Sequence, residues 1–215
     1  MRICELGNPS ARTVLVQMVD EGSLAFLDEQ VRRIRQLTDS EFRLMAGVVD
    51  NWNRDLSPWA APAVAGREAF GGGAEETLSE LLRLCTGPAG TTWFLGGYSL
   101  AGLFALWAAA RTDRFAGIAA ASPSVWFPGF IDDLHSRSLR TCAVYLSLGD
   151  REEKTRNPVM SRVGECIRDA ADYLRKEGIC CVLEMNPGNH FRDVQMRMAR
   201  GFAWLLNRES PQGGV

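Results

Sequence analysis

Three side-chain types in this chain together suit acyl transfer: a serine, an imidazole and a carboxylate. The serine is Ser99, in TTWFLGGYSLAGLFALWAAA. A hydroxyl is a weak nucleophile near neutral pH and needs a base close by to take its proton. The chain has two histidines, His135 and His190. His190 stands in NPGNHFRD, between a strand pattern and a helix pattern, whereas His135 lies among charges in DDLHSRS and reads as a solvated side chain. An imidazole base needs an acid to hold its tautomer. The segment LSLGDREEK offers Asp150, Glu152 and Glu153. Glu152, three residues after Gly149, is preferred, because the loop must turn away from its strand before a side chain swings toward His190. Asp150 is the alternative.

The elements around Ser99 give the serine its meaning. Residues 92–98 read as an apolar, aromatic-rich strand, and LAGLFALWAAA reads as a helix apolar on all sides, hence buried. A serine at such a joint matches a nucleophile elbow, a turn so tight that the positions two before and two after must be small. Here they are Gly97 and Ala101, with Gly102 next. The competing reading is a helix N-cap, a common place for serine. An attacked carbonyl becomes an oxyanion and needs preset N–H donors. One is expected from the backbone of Leu100, the residue after the nucleophile. The other is expected from the loop after the strand 42–49, at Asn51 or Trp52, on position alone. Trp52, Trp59, Trp126 and Phe127 fall in or near loops after strands, and we take Trp52 and Trp126 as substrate-binding walls. Arg54 and Arg156 read as solvated arginines rather than as anion sites.

Along the chain, strands are expected at 2–6, 13–19, 42–49, 92–98, 116–122, 142–148 and 179–185. Helices are expected at 24–37, 74–85, after Ser99, at 129–137, 159–176 and 191–207. From residue 42 on, strand and helix patterns alternate and the strands are continuously apolar. This predicts an α/β fold with a mainly parallel sheet and helices on both faces. In such sheets, sites form beyond the carboxyl ends of the strands. The reading is one domain over 1–208, compact and without a lid domain, followed by a flexible tail at 209–215.

Composition narrows the function further. The 215 residues carry 24 basic and 26 acidic side chains, well mixed, for a formal net charge of -2, which argues against nucleic acid as a partner. No apolar run approaches the length of a membrane span. The first residues, MRICELGNPS, lack the pattern of a secretory signal, so a cytoplasmic chain with a small-molecule partner is expected. Six cysteines without a paired C-x-x-C motif, beside two histidines, argue against zinc; no metal and no cofactor are expected. The cysteines read as reduced and mostly buried. Sequence does not fix the oligomeric state.

The order Ser99, Glu152, His190 is that of α/β-hydrolases. The chain resembles the esterase D-like and enterobactin-type siderophore esterase group of that superfamily over most of residues 13–206. GGYSLAGLFALWAA is similar to the group's elbow and following helix. LSLGDREEKTRNPVM is similar to its acid segment, with a carboxylate three positions after a glycine, and PGNHF to its histidine turn. RDLSP resembles the Arg-x-x-Asp-x-(Ser/Thr)-Pro stretch of siderophore esterases, with shorter spacing. Ala101 stands where many members have glycine. The resemblance implies hydrolysis of a carboxylic ester through an acyl-enzyme and leaves the substrate open. Rival readings are a thioesterase or amidase using the same triad, and a binding protein that keeps the fold without catalysis.

Overall fold

The computed structural model describes residues 1–209 of the chain. Strands β1 (Arg2–Gly7) and β2 (Thr13–Val19) lead to helix α1 (Leu27–Arg35), β3 (Arg43–Val48) and the one-turn helix α2 (Trp52–Asp55). A two-residue ribbon, β4 (Ala60–Ala61) with β5 (Phe70–Gly71), precedes α3 (Ala74–Leu84). Then β6 (Thr92–Tyr98), α4 (Leu100–Ala109), β7 (Gly117–Ala121), α5 (Phe130–His135), β8 (Ala143–Gly149), α6 (Val163–Lys176), β9 (Cys180–Asn186) and α7 (Val194–Glu209) follow.

Seven strands form one sheet in the order β1-β3-β2-β6-β7-β8-β9. All neighbours are parallel except the edge strand β1, which runs antiparallel to β3. Each central strand buries both faces, and the alternation of side chains divides the core in two. Val14, Val16 and Met18 of β2 join α3, α4 and α6 on one face. Leu15 and Val19 join α1 and α7 on the other. Helix α4 is buried along all ten residues, as its unbroken apolar sequence requires. Its interior position fixes the turn that precedes it.

Several boundaries differ from the sequence reading. The first helix does not start at 24. Residues Glu21–Phe26 form a 3-10 turn capped by Asp20, whose Oδ1 accepts from the Ser23 N–H at 2.8 Å, and the α-helix begins at Leu27. The closing helix begins at Val194, so 187–193 remain a loop that carries His190. That helix also includes Glu209, which the sequence reading assigned to the tail; residues 210–215 lie outside the described residues. Of the six cysteines only Cys85 and Cys166 are buried; Cys142 and Cys180 are exposed and Cys4 and Cys181 half-buried. Among the described residues, no helix is long and apolar enough to cross a membrane.

Candidate active site

Ser99 occupies the joint between β6 and α4 with φ 58° and ψ -121°, a conformation that costs a non-glycine residue about 1–3 kcal/mol. Three backbone bonds hold it there: Ser99 N–H to Ala121 O at 3.1 Å, Leu103 N–H to Ser99 O at 3.1 Å, and Ser124 N–H to Ser99 O at 3.0 Å. Ser99 stands at the N-cap position of α4, but its side chain makes no capping bond to the helix and is left for other partners. The small-residue requirement is visible at Gly97, where a Cβ would sit 2.3 Å from the Ala101 carbonyl carbon. That neighbour is backbone and cannot swing aside. Gly97→Ala is therefore expected to destabilise the fold by about 1–3 kcal/mol, the scale of an overpacked core. It should also lower any turnover that depends on Ser99, because the shift falls on the elbow. Urea unfolding beside an activity assay reads both effects.

His190 meets Ser99 from the loop after β9. Its Nε2 lies 3.1 Å from Ser99 Oγ and its Nδ1 lies 2.7 Å from Glu152 Oε2. The side chain of Glu152, in the loop after β8, is only 4% exposed, and its other oxygen, Oε1, accepts three bonds at 2.7 Å. The donors are the Ser122 hydroxyl, the Gly149 N–H and Arg197 Nη1. Asp150 does not reach the imidazole; its Oδ1 accepts the Gly188 N–H at 2.8 Å and so braces the histidine loop. Of the three acids offered by the sequence, the geometry brings Glu152 to His190. His135 lies elsewhere, 3.3 Å from Asp169 and stacked on Tyr173.

One residue of the site escaped the sequence reading. Arg197 of α7 is 1% exposed, and its guanidinium also reaches the Tyr98 hydroxyl at 3.0 Å, the Ser122 hydroxyl at 2.8 Å and the Asn189 carbonyl at 3.0 Å. Tyr98 in turn donates to the His190 carbonyl at 2.7 Å. A single buried cation therefore ties the elbow strand, the end of β7, the acid loop and the histidine loop to one helix. The signal was present: Arg197 falls on the stripe of α7 that also carries Gly201, Phe202 and Leu205, all buried. An arginine on a buried stripe implies a buried acid opposite.

Burial pushes the Glu152 carboxyl up, but hydrogen bonds from His190 and Ser122, the His190 charge and the Gly149 N–H outweigh it and hold it below the ordinary value. The carboxyl then titrates lower in the folded than in the unfolded chain. Its stabilising contribution is complete above the unfolded glutamate range of about 4.3 and is lost as pH falls through the lowered folded value. Melting temperature should therefore drop as pH falls below about 5, and more steeply than in Glu152→Gln, which lacks this titration.

A cleft of about 270 Å³ opens over the three residues, lined also by Ser124, Trp126, Arg151, Lys154, Met160, Val163 and Phe191. Ser124 Oγ stands 3.3 Å from Ser99 Oγ. Trp126 thus lines the cleft as expected. Trp52 does not; it borders a separate small cavity with Gln17, Tyr98 and Gln195. Arg54 is ion-paired to Asp55 and lines another cavity, of about 430 Å³, among Asp50, Glu76 and Glu80. Arg156 is not among the residues lining the cleft.

The second oxyanion donor requires a correction. The Asn51 N–H is already bonded to Asp55 Oδ2 at 2.9 Å, while its side chain caps α2. Nor is β3 the neighbour of the elbow strand: β2 lies between them, pairing Thr13 with Thr92 through Gln17 with Gly96. The loop bordering the elbow strand is thus residues 20–23, after β2. Leu100, directly after Ser99, opens α4, where the first backbone N–H groups lack intrahelical acceptors.

No family model and no curated protein sequence matches this chain. Solved structures do. A siderophore hydrolase, EstA, from Aspergillus nidulans is 21% identical, with a TM-score of 0.69 over 95% of this chain and 86% of that one. An IroE-like serine hydrolase from Shewanella oneidensis is 17% identical, with a TM-score of 0.73 over 95% of this chain and 75% of that one. Acyl-protein thioesterase 2 from Zea mays is 16% identical, with a TM-score of 0.62 over 96% of this chain and 98% of that one. The chain has the α/β-hydrolase fold, and it shares that fold with these structures over nearly its whole length.

Proposed function

We propose that this α/β-hydrolase fold works as a serine hydrolase of carboxylic esters, with Ser99 as nucleophile, His190 as base and Glu152 as acid. The observation that carries the reading is the unbroken hydrogen-bond chain from Ser99 Oγ through the imidazole to Glu152, opening into a cleft. Ser99 Oγ attacks the carbonyl carbon as His190 Nε2 takes its proton, and Glu152 stabilises the imidazolium. The oxyanion is held by the Leu100 N–H and by a second N–H from 20–22, the start of the 3-10 turn, where the first backbone donors lack intrahelical acceptors. The tetrahedral species collapses, His190 returns the proton to the departing alcohol, and an acyl-Ser99 ester remains. A water, deprotonated by His190, then attacks that ester and releases the acid and the free serine.

Likeness to a thioesterase keeps a second bond type in view, since the same groups cleave a thioester. Pre-steady-state hydrolysis of p-nitrophenyl butyrate tests the proposal: a burst of p-nitrophenol equal to the enzyme present, then slower turnover, is expected from an acyl-enzyme. Matched butyryl thioester and anilide substrates rank the bond. Faster kcat/KM on the thioester would move the assignment there, and no turnover of any of the three would favour the binding-protein reading.

A further inference from the structure

The chemistry above does not account for the charge of the cleft. Arg151 and Lys154 both line it, from the same turn that carries Glu152. Among the described residues neither side chain is in an ion pair. The acids beside them are engaged elsewhere: Asp150 accepts the Gly188 N–H, and Glu153 pairs with Arg168 at 3.2 Å. Glu152 is neutralised by Arg197. The cleft therefore presents two unpaired cations, in a chain whose formal net charge is -2.

Its other walls are apolar. Trp126, Met160 and Val163 line it, and Phe191, 84% exposed, packs edge-on against His190. An aromatic ring left that open buries little of its own surface, and beside a site it is a ready contact for a ligand. At about 270 Å³ the space falls just under the ~300 Å³ at which drug-sized ligand sites begin.

We infer that the substrate is a small ester with an apolar or aromatic body and a carboxylate, the body lying against Trp126, Met160 and Phe191 and the carboxylate meeting Arg151 and Lys154. This rests on the hydrolase reading and specifies its substrate class. Both cations are exposed, so each contributes on the scale of a surface ion pair, about three-fold in KM, and the effect is screened by salt.

The test uses two esters of near-identical shape: O-butyryl-4-hydroxybenzoate and the neutral O-butyryl-4-hydroxybenzamide. The carboxylate ester is expected to have the higher kcat/KM by about ten-fold at low salt, mainly through KM, with the preference collapsing at high salt. Arg151→Gln and Lys154→Gln should each remove about three-fold of that ratio, and the double variant all of it, the amide ester serving as each variant's own reference. Equal kcat/KM for the two esters in the wild type, or a preference that survives the double variant, overturns the inference and leaves the hydrolase reading intact. Turnover of neither ester overturns both.

Discussion

Glu152→Gln is expected to lower kcat by about 10⁴-fold in a protein that remains folded, as the corresponding change does in a serine protease triad. The reason lies in the donors around the side chain. Oε1 accepts from Ser122, Gly149 and Arg197 at once, so in the glutamine variant the amide oxygen must occupy that place. The NH2 group then faces His190 Nδ1, 2.7 Å away in the native site. To meet a donor, Nδ1 must accept, which puts the ring proton on Nε2, toward Ser99. An imidazole in that tautomer cannot take the serine proton. Because the groups persist in place, KM should change far less than kcat. Asp150→Asn, by contrast, should slow turnover only modestly, through looser bracing of Gly188. A variant pair with the opposite ranking would reverse the acid assignment.

Arg197→Met is expected to have a large effect on stability. Removing one partner of a buried ion pair costs about 3–5 kcal/mol, because the other charge stays buried. For a chain of this size that corresponds to a fall in melting temperature of roughly 6–20 °C. The Tyr98 hydroxyl and the Asn189 carbonyl lose a donor in the same step. The double variant Arg197→Met with Glu152→Gln should regain much of the stability, since no unpaired charge remains, yet regain no activity. This non-additivity is the signature of direct coupling. It also separates Arg197, which positions the acid, from a residue that merely packs. An unchanged melting temperature in Arg197→Met would show that the cation contributes nothing net to the fold.

The parts of the site legible in the sequence are those whose constraints are local. Gly97, Ser99 and Ala101 announce the elbow because the turn excludes side chains within five residues. Glu152 is readable because its offset from Gly149 sets how far the loop has turned, and His190 because it lies in the loop just past the last strand. What stayed hidden depends on which strands are neighbours. Chain order makes β3 the strand immediately before the long loop 49–73, so sequence alone points to that loop for the oxyanion donor. Only the sheet order shows β2 inserted between β3 and β6. Trp52 went to the wrong cavity for the same reason. The cysteines illustrate another limit: Cys180 sits in a strand pattern but at its first residue on an edge strand, where one face is open. Arg197 does not stand out in the sequence because an arginine in an amphipathic helix is normally on the wet face.

Labelling with a fluorophosphonate, followed by intact mass and peptide mapping, decides whether Ser99 is the nucleophile. One adduct per chain is expected, on Ser99, with none in Ser99→Ala and slow formation in His190→Gln. An adduct on Ser124, whose hydroxyl stands 3.3 Å from that of Ser99, or no adduct in the folded wild type, would contradict it.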